Sequence, residues 1–192
     1  MKKLSASLLF LTLAACGQPA PPAADTSADV AESVAVPACV ADAPARTIAF
    51  AGQSYQIQAH AEGATCDEAI ATLKIIAPNG ATAFETAYPI AQVPLAFNAT
   101  GSGVARLTTE LESWTQNVAE QPTADSLPAW PDGADKPPNF TPALSREAYE
   151  AARTARQPIF CFPDGAESNA CVAINTSAQA ASLLGSRTPE RT

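Results

Sequence analysis

The chain has 192 residues, of which 47% are hydrophobic, 6% aromatic and 16% charged, and this length is enough for one domain and hardly for two. Its formal charge of -8 argues against a nucleic-acid binder, which needs a cluster of Lys and Arg to track phosphates. The 17 prolines exclude a long helical bundle, because each proline inside a helix removes a hydrogen bond and costs about 3 kcal/mol.

The first residues have the layout of a secretory signal. Lys2 and Lys3 precede an apolar run over residues 4–13, which is too short to span a membrane. The run ends in Leu-Ala-Ala followed by Cys16, and this motif resembles the lipobox of bacterial lipoproteins. The resemblance implies that residues 1–15 are removed and that acyl chains on Cys16 hold the protein to a membrane. The alternative is an ordinary signal peptide with a cysteine nearby by chance.

The residues after this motif indicate a destination and a linker. Gly17 stands where Gram-negative lipoproteins retained in the inner membrane carry Asp, so the resemblance implies the periplasmic side of the outer membrane. Residues 16–38 are rich in Ala, Pro and acidic side chains and cannot bury enough apolar surface to fold. We expect a disordered tether there and one globular domain over residues 39–175.

A first hairpin is predicted over residues 47–59. Gly52 and Gln53 suit the two central positions of a type II′ turn. In that register Phe50 lies opposite Tyr55, and four apolar residues share one face: Ile48, Phe50, Tyr55 and Ile57.

A second hairpin is predicted over residues 73–88, with two alternatives for its turn. A two-residue Asn-Gly turn would place Ile75 opposite Phe84. Alternatively, Pro78 takes the first central position of a type I turn that ends in a bulge at Gly80. We favour the second turn because Pro is well suited to that position.

An amphipathic helix is predicted over the residues that follow Ser102. Ser102 is its expected N-cap, and Pro122 marks the latest residue at which it can end. We expect the apolar stripe to pack on the protein's own sheet, and the alternative is a seam for a partner. The stripe contains Val104, Leu107, Leu111, Trp114 and Val118.

The remaining segments alternate between irregular and regular structure. Residues 121–142 hold six prolines and predict an extended strap over the surface, pinned by Trp130 and Phe140. A second helix is predicted over residues 145–157, with Tyr149, Ala152 and Ala155 as candidates for its inner face. Residues 176–192 are expected to be a loose tail.

Four cysteines remain after Cys16. An even number in an exported chain indicates two disulfides, and of the three possible connectivities the spacing favours Cys161 with Cys171 and Cys39 with Cys66. Metal binding is the alternative, but the chain has no Cys-x-x-Cys pair and a single histidine.

The predicted disulfide between residues 161 and 171 also specifies a hairpin. Pairing these positions places Phe160 opposite Val172 and Phe162 opposite Ala170. All four apolar side chains then share one face, as a half-buried hairpin requires.

Few residues of the chain are candidates for catalysis or metal binding. His60 is the single histidine, and no nucleophile is selected by the sequence, so we interpret it as a strand-end residue facing water rather than a catalytic base. The segments 131–135 and 163–167 repeat a Pro-Asp-Gly-Ala-acid pattern. Pro-Asp-Gly predicts a turn, and neither copy supplies enough carboxylates for calcium.

One basic cluster is a possible partner patch. Arg146, Arg153 and Arg156 lie on or near one side of the second predicted helix, with Trp130 on the strap. They could contact an anionic glycan or an acidic protein. The simpler alternative is a solvated face balanced by neighbouring glutamates.

These observations predict an α+β domain: a small antiparallel sheet of hairpins, one main amphipathic helix, a second short helix and two disulfides. The expected function is that of a non-enzymatic, tethered interaction module of the outer membrane, facing the periplasm and anchored through lipid on Cys16. An envelope protein or a glycan is the candidate partner; no cofactor and no nucleic acid is expected, and the oligomeric state stays open. The alternatives are an envelope-acting hydrolase that uses His60, or an inhibitor of such hydrolases.

Overall fold

The hairpins assemble into two antiparallel sheets, which confirms the predicted α+β class. The computed structural model describes residues 39–98 and 103–189, so the lipobox-like motif, the tether and Ser102 lie outside the described residues. The first sheet contains β1 (Cys39–Asp42), β2 (Arg46–Phe50), β3 (Gln53–Gly63), β4 (Ile70–Ile76) and β5 (Thr82–Pro89). The second contains β6 (Phe140–Pro142), β7 (Ile159–Pro163), β8 (Asn169–Asn175) and β9 (Ala180–Arg187). The helices are α1 (Val104–Trp114) and α2 (Arg146–Thr154).

The hairpin of β2 and β3 has the predicted apolar face, but the predicted register is wrong. Phe50 lies opposite Gln53 rather than opposite Tyr55, a shift of two residues. Its turn is formed by Ala51 and Gly52, both at positive φ (47° and 80°), as a type I′ turn requires. A shift of two residues leaves every side chain on its face, so the hydrophobic pattern alone does not distinguish the two registers.

The hairpin of β4 and β5 confirms the favoured turn. The Gly80 N–H donates to the Ala77 carbonyl at 2.9 Å and Gly80 has a φ of 84°, so the turn begins at Pro78 and ends at a left-handed glycine. A bulge next to Ile75 then restores the pairing of Ile75 with Phe84 that the alternative turn predicted.

The two sheets pack face to face around the larger of two apolar cores. The inner face of the first sheet contributes Tyr55, Ile57, Leu73 and Ile75, and the facing side of the second contributes Phe160, Phe162, Val172 and Ile174. Helix α1 adds Leu107, Leu111 and Trp114, which confirms that its stripe packs within the protein. The helix ends before Val118, which is 45% exposed, and Gly103 occupies the N-cap position.

The strap and α2 cover the opposite face of the second sheet and form the smaller core. The Ser145 side chain caps α2 by accepting a hydrogen bond from the Ala148 N–H at 3.3 Å. Tyr149 and Ala152 are buried as predicted, whereas Ala155 is exposed because it lies past the last helical turn. The buried residues of this core include Ala124, Leu127, Phe140, Tyr149, Ile159 and Leu184.

The prediction of a loose tail after residue 175 is wrong. Residues 180–187 form β9, which lies between β8 and β6 inside the second sheet. Gly185 has a φ of 146°, and a Cβ built there would lie 2.6 Å from Phe140 Cε1 and 2.8 Å from the Pro142 Cα. The strand therefore needs glycine at this point for β6 to approach closely.

A single side chain covers part of the free edge of β7. The Asn117 amide donates from Nδ2 to the Ile159 carbonyl at 3.0 Å, and its Oδ1 accepts from the Cys161 N–H at 2.9 Å and the Ala119 N–H at 3.0 Å. The next residue continues the pairing, since the Val118 N–H donates to the Cys161 carbonyl at 2.9 Å. Asn117 thus substitutes for a strand residue beside the edge.

Both predicted disulfides are confirmed. Cys161 and Cys171 lie directly opposite each other on β7 and β8, with a Cα–Cα distance of 4.1 Å. Cys39 in β1 is bonded to Cys66, which opens a single 3₁₀ turn before β4. Across residues 39–98 and 103–189, we find no helix whose length and apolar character would suffice to cross a bilayer.

Candidate functional site

The predicted arginine patch is engaged with the protein's own strap. Arg146 pairs with Asp132 at 2.5 Å, and Arg156 pairs with Asp125 at 3.0 Å. Arg153 donates from Nε to the Leu127 carbonyl at 3.1 Å. Asp125, Leu127 and Asp132 all belong to the strap, so the three guanidinium groups join α2 and the residue after its C-cap to the strap.

Trp130 belongs to the same set of contacts. Its backbone N–H donates to Glu150 at 2.8 Å, its indole Nε1 donates to the Ala134 carbonyl at 2.9 Å, and its ring lies edge-on to Tyr149 at 5.9 Å. Partial burial opposes ionisation of Glu150, but the Trp130 N–H and the Arg153 guanidinium lower its pKa overall. Burial raises the pKa of Tyr149 to about 12. Arg153, which is 17% exposed, and Trp130 are therefore built into the packing of α2 against the strap, whereas Arg146 and Arg156 form their ion pairs at the surface and are 44% and 73% exposed.

His60 lies inside β3 on the outer face of the first sheet, not at the strand's end. Its Nδ1 lies 2.8 Å from Asp42 Oδ1 on β1, and its Nε2 lies 3.6 Å from Glu62 Oε2 on its own strand. The hydrogen bond to Asp42 is the main cause that raises the pKa of His60, with Glu62 adding to it and partial burial opposing it. The imidazole thus has a carboxylate near each ring nitrogen.

The surroundings of His60 are open and charged. A depression of about 580 Å³ runs over this part of the sheet, and on β4 and β5 it is bordered by Lys74 and Glu85, which pair at 3.1 Å. The side chains of Asp42 and Glu62 are each 73% exposed, and that of His60 is 38% exposed. Groups this accessible can contact a partner without a change in the fold.

The chemistry of this cluster is limited by what contacts the imidazole. In residues 39–98 and 103–189 the carboxylates of Asp42 and Glu62 lie beside the two ring nitrogens of His60, and all four cysteines form disulfides. The same ranges contain no group of three or more His, Cys, Asp or Glu side chains placed to hold a metal ion. The carboxylates of Asp42 and Glu62 approach different ring nitrogens, which does not leave a shared point for a cation.

The first Pro-Asp-Gly-Ala segment forms the predicted turn, whereas the second lies in the loop of residues 164–168 that joins β7 to β8. In the first copy the Ala134 N–H donates to the Pro131 carbonyl at 3.2 Å, and Gly133 has a φ of 75°, which is type II geometry. In the second copy Asp164 accepts a hydrogen bond from the Ser186 hydroxyl of β9. Asp132 pairs with Arg146 and Asp164 accepts from Ser186, so both aspartates have partners within the fold.

Comparison with protein-family models, curated proteins and solved structures found no match to this chain. The assignment of function therefore depends on the chain's own residues.

Sequence reasoning did not identify the two carboxylates beside His60, which belong to Asp42 and Glu62. Glu62 could have been found, because residues two apart on a strand share a face. Asp42 lies 18 residues before His60. Their contact depends on the pairing of β1 with β3, and no pattern in the short strand β1 predicts that pairing.

Proposed function

We propose that this protein is a non-enzymatic lipoprotein of the outer membrane, facing the periplasm, and that the outer face of the first sheet is its interaction surface. One observation carries this choice of surface. In the described part of the chain both faces of the second sheet and the inner face of the first are covered, whereas the outer face of the first sheet is open. Such a face is available to a partner without any rearrangement.

Two further features support an envelope location. The two disulfides fit a protein folded in an oxidising compartment. The motif ending at Cys16 supplies a lipid anchor if it is processed as in bacterial lipoproteins. We expect the N-terminal peptide of the mature protein to carry acyl chains on Cys16 by mass spectrometry, and Cys16→Ala to move the protein to the soluble fraction. A membrane-bound Cys16→Ala variant would contradict the anchor.

Photo-crosslinking in living cells tests the interaction surface. A photoreactive residue at Thr72, which lies opposite His60 on the outer face, should capture an envelope protein or glycan. The matched position is Glu147, exposed on the far side of the molecule on α2. A second control joins residues 1–38 to an unrelated domain. The proposal is wrong if the Thr72 probe enriches no envelope component over both controls.

A second candidate is an envelope-acting hydrolase, and the Asp42–His60 hydrogen bond of 2.8 Å favours it. A carboxylate that orients an imidazole through Nδ1 can support general-base catalysis at Nε2. The test is a His60→Ala variant in a strain that lacks the gene. Full complementation of the deletion phenotype would remove the candidate base and this function with it. An inhibitor of hydrolases is the related alternative, and lysozyme and protease inhibition assays test it directly.

A further inference from the structure

The outer face of the first sheet combines aliphatic and acidic side chains in one row. Val40, Glu62 and Ile70 occupy neighbouring positions on β1, β3 and β4, with the carboxylate between the two aliphatic side chains. Val40 is 47% exposed and Ile70 is 41% exposed, and they are two of the few large hydrophobic residues exposed on the described surface. Apolar groups of this size gain free energy when a partner covers them.

The charge of this face is negative. Asp42 lies in the next row along the strands, opposite His60, and its carboxylate is as exposed as that of Glu62. The positive charge of Lys74 is compensated by Glu85 at 3.1 Å. Among the described residues, His60 is therefore the one ionisable base that pairs with both Asp42 and Glu62. Both carboxylates remain accessible to a cation of a partner.

For a partner that crosses the strands, the spacing of the row fits a helix better than an extended chain. Neighbouring strands lie roughly 4.8 Å apart, so Val40 and Ile70 are roughly 10 Å apart across β3. An α-helix rises about 1.5 Å per residue, which separates residues i and i+7 by about 10.5 Å and places i+3 or i+4 between them. An extended chain places same-face side chains about 6.8 Å apart, which is too wide for adjacent strands.

We propose that the outer face binds a basic amphipathic helix, with aliphatic residues at i and i+7 over Val40 and Ile70 and a Lys or Arg at i+3 or i+4 over Glu62 and Asp42. This inference rests on the proposed function, since it names the partner chemistry of the same surface. The helix crosses the strands, with its remaining basic residues turned toward solvent.

Protonation of His60 controls the strength of this contact. The charged and titratable groups that face the imidazole are Asp42 from β1, Glu62 from β3, and Lys74 from β4 with its partner Glu85 from β5. A protonated His60 competes with the partner's cation for Asp42 and Glu62. When His60 is neutral, both carboxylates can pair with the cation of the helix. The affinity for the helix is therefore higher in mildly alkaline than in mildly acidic solution.

Fluorescence anisotropy of a labelled helical peptide tests the proposal on the full chain with both disulfides formed. The peptide carries Leu at i and i+7 and Lys at i+3 and i+4, and a control peptide carries Glu in place of Lys. We expect the double variant Asp42→Asn, Glu62→Gln to weaken binding about tenfold at low salt, and Val40→Thr to weaken it about fivefold. Two controls on α1, Val104→Thr and Glu112→Gln, should stay within about twofold, since Val104 is 45% exposed and Glu112 is exposed.

The affinity for the Lys peptide is also measured at about pH 5.5 and at about pH 8. Binding to the native protein should be several-fold tighter at the higher pH, and binding to His60→Gln should be the same at both. Equal binding of the Glu peptide, or a double variant that melts like the native protein and binds as tightly, overturns the inference. If the Lys peptide does not bind while the Thr72 probe captures an envelope partner, the inference fails and the proposed function stands. If the peptide binds and the probe captures nothing, the proposed function fails and the surface chemistry stands.

Discussion

The amide of Asn117 should contribute more to stability than any other polar side chain at the edge of the second sheet. Replacement by Ala leaves three backbone groups without their partners: the Ile159 carbonyl and the N–H groups of Cys161 and Ala119. A lost hydrogen bond costs about 1 kcal/mol when water can replace the partner and up to about 3 kcal/mol when it cannot. These groups are partly buried, so we expect Asn117→Ala to lower the free energy of unfolding by about 3 kcal/mol.

Urea denaturation with the disulfides intact measures this change, and a neighbouring residue supplies the control. Gln116 is exposed, so Gln116→Ala should shift the free energy of unfolding by less than about 0.5 kcal/mol. The variant Asn117→Asp adds a second test. Its ionised carboxylate retains the two acceptor contacts but faces the Ile159 carbonyl without a proton, whereas the protonated acid can donate to it.

Near pH 7, Asn117→Asp should therefore lower the free energy of unfolding by as much as Asn117→Ala does. Near pH 4, around the ordinary pKa of Asp, its deficit relative to the native protein should shrink. A loss below about 1 kcal/mol for Asn117→Ala would refute the reasoning, because it would mean that water satisfies the edge of β7 equally well. The reasoning would also be refuted if the loss in free energy of unfolding of Asn117→Asp did not depend on pH.

Three further predictions concern the turn at Ala51, the close pairing of β6 with β9 at Gly185, and the titration of His60. Ala51→Asn should raise the free energy of unfolding by about 0.5 to 1 kcal/mol in thermal melts, because Asn tolerates the positive φ of 47° better than Ala, and Ala51→Val should lower it. Gly185→Ala should cost about 3 kcal/mol or leave the chain unfolded, since its Cβ would overlap β6; near-native melting would contradict the close approach. The raised pKa of His60 means that its contribution is fully present below its unfolded value of 6.5 and is lost as the pH rises through the folded pKa. With its partner exposed this amounts to less than about 1 kcal/mol, and a His60→Gln variant in urea should lack that pH dependence.

The disulfides and the faces of the hairpins could be predicted because each follows from a local rule. The pairing of Cys161 with Cys171 follows from the parity and spacing of the cysteines, and the register then places Phe160 and Phe162 on one side. The register of β2 and β3 could not be predicted in the same way. A two-residue slip conserves the face, and the choice depends on whether Ala51 takes a left-handed conformation.

The missed elements share a different cause, because they depend on distant parts of the chain. Strand β9 consists largely of small residues with weak alternation, and it forms because β8 and β6 pair on its two sides. The arginines of α2 looked available in the sequence, but the strap brings Asp125 and Asp132 to them. The contact of Asp42 with His60 likewise depends on the partner that β1 finds in the sheet.

The disulfide between Cys39 and Cys66 determines how mechanical load enters the domain. A pull on the chain before residue 39 would otherwise peel β1 from β3 one hydrogen bond at a time, which is the weakest way to load a strand pair. The covalent bond transfers that force from the first residue of β1 directly to the turn before β4. Asp42 and the row that begins at Val40 therefore stay in register under tension, and a partner seated on the outer face would be held while the segment before Cys39 is stretched.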